Sequence, residues 1–237
     1  MKQDEGFAAG ARAALPVVLG YLSIGFAAGV VQRAAGLSVA EVVLMSTVLY
    51  AGSAQFAAAG MIAAAAQPGA VIATVFFVNL RHLLLSAALA PFFARLPAWK
   101  NALLGAQLTD ETFVVAWTRL QGARNVSPAW MAGLNVSAYL SWALATAAGA
   151  LAGDLVADTR SLGFDFALPA MFAALLVLQL ASHSSQARAL SVAVLSAGIA
   201  VGTALALPGH WGIIAATLLG ATLGLILERW KSAPKSC

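Results

Sequence analysis

Asn79, Arg81 and His82 stand together inside an apolar run that extends from Ala70 to Phe93. A run of this length and character reads as a membrane span. Arg81 lies ten or more residues from either end of it, at least roughly 15 Å at ~1.5 Å rise per residue. Its side chain does not easily snorkel to a headgroup from there. A guanidinium in the bilayer core is costly unless paired, which makes Arg81 a functional-site candidate. It could hold a substrate carboxylate or lock a buried acid, and a bidentate contact of that kind excludes Lys. His82 could relay a proton. Asn79 and His82 are three apart and share a helix face, whereas Arg81 points elsewhere. The simpler alternative is an arginine that only pins two helices together.

Arg81 needs a counter-charge. Asp110 and Glu111 are the best candidates, because they sit in a weakly apolar segment, 103–121; Glu41 and Asp165 lie nearer span ends. An acid beside an arginine stays ionised, while one buried alone can carry a proton, a difference that proton-coupled transport uses. An exposed helix-start pair is the alternative. A second constellation is Ala51-Gly52-Ser53-Ala54-Gln55, in the middle of an apolar stretch over 39–66. A Gly-Ser break there frees backbone groups, and such unwound points bind the charged groups of transported solutes. Gln55 would satisfy freed groups or meet the ligand; a kink or close packing is the plainer explanation. Tyr21, in the Gly-rich first span, could line a path or simply pack. Asp165 opens a later span and reads first as a cap.

The elements that position these residues are membrane helices. Hydrophobic residues make up 61% of the chain and charged residues 9%, with a mean hydropathy of +0.87. Soluble domains carry about 25% charged residues. At roughly 20 residues per span, 237 residues hold seven or eight spans as one integral membrane domain, 1–237. The expected fold is an all-α polytopic bundle with one or more broken helices. Candidate spans fall near 13–31, 39–66, 70–93, 103–121, 129–152, 166–181, 189–207 and 211–228. Segment 103–121 could cross, re-enter or lie on the surface. Lysine and arginine counts place the C-terminus in the cytoplasm either way and leave the N-terminal side open. Gly25/Gly29, Gly149/Gly153, Gly198/Gly202 and Gly220/Gly224 are pairs that let helices approach closely. Leu15-Pro16 and Leu168-Pro169 each open a span, a faint sign of duplication.

Several classes find no support. The net charge of +4 is dispersed, with no basic stripe for nucleic acid. Cys237 is the only cysteine, so neither an intrachain disulfide nor a cysteine metal site is expected. His82, His183 and His210 have no metal-ligand spacing, and no nucleophile elbow or Walker motif is present. No metal or cofactor is therefore expected, and an intramembrane enzyme would lack a nucleophile–base pair.

Taken in order, Leu15-Pro16…Gly20-Tyr21…Gly25…Gly29, Ala51-Gly52-Ser53-Ala54-Gln55-Phe56, Val78-Asn79-Leu80-Arg81-His82, Asp110-Glu111-Thr112-Phe113 and Asp165-Phe166-Ala167 resemble the AzlC family of branched-chain amino-acid permeases. The resemblance runs from about Phe7 to Trp230. One departure is Ser23, where many members carry proline. The resemblance implies export of valine, leucine and isoleucine across the bacterial inner membrane by the large subunit of a two-component exporter. It also implies a small AzlD-type membrane partner. An exporter of another small amphipathic solute, or a non-transporting assembly subunit, are the alternatives.

Overall fold

A computed structural model describes residues 6–121, 126–155 and 186–206, with isolated positions elsewhere beyond Leu155. The chain divides into two compact units, Met1–Pro169 and Ala170–Cys237. Regular structure among the described residues is entirely helical. Among the described residues, three helices are long and apolar enough to cross a membrane: Leu15–Ala34, Pro68–Phe93 and Pro128–Leu155. The candidate spans at 166–181 and 211–228, Asp165, Leu168-Pro169 and Gly220/Gly224 lie largely or wholly outside the described residues.

The first unit is built on two helices running in parallel. α1 (Phe7–Ala13) and α2 (Leu15–Ala34) follow one another with only Ala14 between them. The Val18 N–H still donates to the Ala14 carbonyl, at 2.8 Å. Pro16 thus stands in the first turn of α2, as its position suggested, where α1 runs almost directly into that helix. α8 (Pro128–Ala152, extended by a 3-10 turn at Gly153–Leu155) lies alongside. Glycines set the register. A Cβ on Gly10 would strike the Trp130 carbonyl, one on Gly29 the Thr146 carbonyl, and one on Gly149 the Phe26 carbonyl. The two helices thus climb in the same direction, from Phe7 beside Gly133 to Arg33 beside Gly153. In lipid, where burying apolar surface gives no drive, this close backbone approach holds helices together. Gly25/Gly29 and Gly149/Gly153 thus face each other, while Gly198 and Gly202 in α9 (Gln186–Ala206) have nothing within 4 Å among the described residues.

Between α2 and α8 the chain makes two short hairpins around one long helix. α3 (Val39–Val48) and α4 (Gly52–Ala63) are each about half a bilayer long. α3 begins at a capping box, with Ser38 Oγ accepting from Glu41 N at 3.2 Å and Glu41 Oε2 accepting from Ser38 N at 2.7 Å. It runs antiparallel to α8: Val42 clusters with Ala150 and Tyr50 packs on Tyr139, rings 4.9 Å apart. α4 then turns back. Its Gln55 Nε2 donates to Leu49 O at 2.8 Å and Met45 O at 3.4 Å, beside the last turn of α3. These carbonyls already accept from the backbone N–H groups of Leu49 and Ala51, and the side-chain amide adds a second donor that ties α4 to the end of α3. The expected break thus exists, as a reversal.

α5 (Pro68–Leu89, with a 3-10 turn at Ala90–Phe93) returns antiparallel to α4 and ends where Leu89 and Phe93 pack with Ala14, Trp130 and Met131. α6 (Ala98–Ala106) and α7 (Asp110–Gln121) form the second hairpin. Asn135 Nδ2 donates to Leu104 O at 2.9 Å on the way in. The Arg119 guanidinium sits 4.7 Å from the Trp130 ring centroid on the way out. The hairpins therefore enter from opposite ends of α8, and their turns, at 49–51 and 107–109, reach its middle.

Candidate functional site

Arg81 sits on α5, opposite both turns. Its Nη1 lies 2.7 Å from Asp110 Oδ2, and its Nη2 donates to Ser53 Oγ. One planar fork thus ties the middle of α5 to the first turn of α4 and the first residue of α7. Lysine, with a single nitrogen, does not span two such partners in fixed geometry. Arg81 and Asp110 keep 28% and 20% of their side-chain surface exposed, so the pair is reachable rather than sealed.

The neighbouring acid has another partner. The Tyr21 hydroxyl, buried on α2, lies 2.7 Å from Glu111 Oε2 and 2.8 Å from Thr109 Oγ1. Its one proton serves the carboxylate, the better acceptor, and Thr109 can donate in return. Thr109 also caps α7: its Oγ1 accepts from Thr112 N at 3.3 Å, and Thr112 Oγ1 accepts from Thr109 N at 2.9 Å. This is a capping box with threonine in the place of glutamate. Tyr21 further packs edge-on against Trp142, rings 5.1 Å apart.

The two turns differ in their free ends. α7 is capped; α4 starts at Gly52 behind Ala51, with no side-chain cap. The first backbone N–H groups of α4 therefore add a partial positive charge next to Arg81. Gly52 is required there because a Cβ would come 2.8 Å from the Trp142 ring. Gln55 is fully buried, and its Oε1 receives Trp142 Nε1 at 3.3 Å and Gln32 Nε2 at 3.4 Å, long hydrogen bonds that hold the turn between α2 and α8.

Of the residues singled out from sequence, the structure brings Arg81, Ser53, Asp110, Glu111 and Tyr21 together, with Gly52 and Gln55 supporting the turn. Asn79 and His82 do not join. Both are half-buried; the Asn79 amide oxygen has no hydrogen-bond partner among the described residues, and His82 makes no hydrogen bond to the cluster. Sequence reasoning missed Gln32, Trp142, Thr109 and Thr112. Only the Thr-x-x-Thr spacing ahead of an apolar run carried a readable signal.

A family model described as AzlC protein matches residues 16–156. Inner membrane protein YgaZ of Escherichia coli (strain K12) is 33% identical over 235 residues, covering 96% of this chain and 93% of that protein. An uncharacterized membrane protein of Archaeoglobus fulgidus is 30% identical, over 88% of this chain and 89% of its own length. Branched-chain amino acid transport protein AzlC of Bacillus subtilis (strain 168) is 28% identical, over 94% and 84%. No solved structure matches significantly.

Proposed function

The chain belongs to the AzlC family, and from that premise we propose that it exports valine, leucine and isoleucine as the large subunit of a two-component secondary transporter. Membrane transport is what the family and its named relatives support directly. The finer reading rests on one observation: the Arg81–Asp110 pair lies where two half-length hairpins meet in the middle of the bundle. Broken helices meeting near the midplane are how transporters hold small charged solutes. The carboxylate goes to Arg81, Ser53 and the uncapped start of α4. The apolar surroundings of the pair take the side chain. The drive is a proton gradient, and the second subunit is a small AzlD-type membrane protein. Labelled valine and leucine effluxed from cells expressing both chains is the expected result. An absence of efflux for both amino acids, with another small amphipathic solute exported instead, would replace the substrate. Reconstitution without the small partner separates a transporting chain from an assembly subunit.

In the membrane, α1–α2, α5 and α8 cross while α3–α4 and α6–α7 re-enter. Arg12, Arg95, Lys100 and Arg119 flank the end of the bundle where α8 starts; Arg33 stands at the other end, paired to Asp154 at 2.5 Å. By the positive-inside rule the α8 start and the N-terminus are cytoplasmic, in the bacterial inner membrane. If the three further apolar segments cross, the C-terminus is cytoplasmic too. In a Cys237→Ala background, a membrane-impermeant maleimide is expected to label Ala40→Cys and Gln67→Cys from outside. Trp99→Cys and Thr118→Cys would react only after permeabilisation. Labelling of positions 40 and 67 from opposite sides would make 39–66 a true crossing.

A further inference from the structure

Arg81 and Asp110 neutralise each other across a gap that belongs to two different elements: the guanidinium to the crossing helix α5, the carboxylate to the tip of the α6–α7 hairpin. Their neighbours are otherwise committed. Glu111 is held by Tyr21, and α7 is capped by Thr109 and Thr112 rather than by Asp110. Asp110 is thus not needed to start its own helix. It stays partly exposed, as Arg81 does, beside their 2.7 Å contact.

We propose that this ion pair is the vacant form of a zwitterion site. The bound α-amino acid slips between the two residues, its carboxylate taking over Arg81 and its ammonium taking over Asp110. The tip of the α6–α7 hairpin then moves off α5 by the width of the ligand. This site rests on the amino-acid transport reading above and deepens it by giving Asp110 a substrate-binding role. Charge balance decides which ligands fit. Breaking a buried pair by removing one partner is strongly unfavourable, because the other charge is stranded. A ligand with only a carboxylate leaves Asp110 stranded, and one with only an ammonium leaves Arg81 so. A zwitterion restores both partners and leaves the net charge of the site unchanged. The resting pair also keeps solutes of single charge out, which is selection by an unmatched group rather than by fit.

The test is competition against labelled valine on the purified two-chain complex in nanodiscs, with three probes: valine, 3-methyl-2-oxobutanoate, which lacks the ammonium, and 2-methylpropylamine, which lacks the carboxylate. The expected result is that both single-charge analogues compete at least about a hundredfold more weakly than valine. In Asp110→Asn the gap narrows from both sides: valine weakens by about tenfold or more, and the oxo acid binds better than it does to wild type. A merely structural Asp110 would weaken both ligands together. An oxo acid that competes as well as valine with the wild-type complex overturns the zwitterion site while leaving amino-acid export intact. If labelled valine itself does not bind the wild type, the substrate reading fails, and the proposal with it. Should Asp110→Asn not fold, the wild-type series decides by itself.

Discussion

Arg81→Leu is expected to abolish valine and leucine efflux while the chain still reaches the membrane in normal amount. The guanidinium touches both hairpins, through Ser53 and Asp110. Leucine removes the anchor for a carboxylate. It also leaves the Asp110 carboxylate without its partner, which costs about 3–5 kcal/mol when the site is buried and less here, where solvent reaches the pair. The double variant Arg81→Leu/Asp110→Leu removes the stranded charge, so it regains stability but not efflux. Arg81→Lys keeps the charge and loses the fork, with efflux down by about tenfold or more. Efflux of labelled amino acid, normalised to membrane-fraction immunoblots, reads all three. Full efflux in Arg81→Leu would remove Arg81 from the working centre.

How far the sequence could carry this is seen at individual residues. Arg81 was legible because hydropathy gives depth, and depth gives cost. The interruption at Gly52-Ser53 was legible because small residues in a long apolar stretch free backbone groups. Its geometry was not: an apolar stretch over 39–66 reads alike as one long crossing or as two half-crossings. Only the reach of Gln55 back to Met45 and Leu49 distinguishes them. Segment 103–121 was ambiguous for the same reason. The choice between Asp110 and Glu111 was also beyond the sequence. Adjacent residues on a helix face about 100° apart, and Tyr21, 90 positions away, takes Glu111. Asn79 and His82 are neighbours of Arg81 in the chain, but the sequence places them on another helix face, and among the described residues neither is hydrogen-bonded to the cluster. Gly10 and Gly133 escaped notice because each has its partner across the interface rather than four residues along.

That glycine interface carries the other large effect. Gly29→Leu is expected to prevent recovery of folded protein, and Gly29→Ala to lower its melting temperature sharply. A Cβ at position 29 would run into the Thr146 carbonyl and come 2.7 Å from Ala150 N. Both are backbone atoms of a helix and do not swing aside as a side-chain end would. Relief requires α2 and α8 to part, and parting gives up the close van der Waals packing that joins them in lipid. Overpacking of this kind costs about 1–3 kcal/mol or more. It outweighs the roughly 1 kcal/mol that alanine gains over glycine in a helix. Gly20, on the same helix, is the control, because a Cβ there meets nothing within 4 Å among the described residues. There the intrinsic preference stands unopposed, and Gly20→Ala should melt at or slightly above the wild-type temperature. The pair isolates packing from propensity, since chain, helix and chemical change are the same. Melting of detergent-purified protein followed by intrinsic tryptophan fluorescence, with size exclusion to confirm a single species, is the measurement. Wild-type melting of Gly29→Ala would mean that α2 and α8 do not approach as closely as their glycines allow. The register that places Tyr21 beside Glu111 would then need another cause.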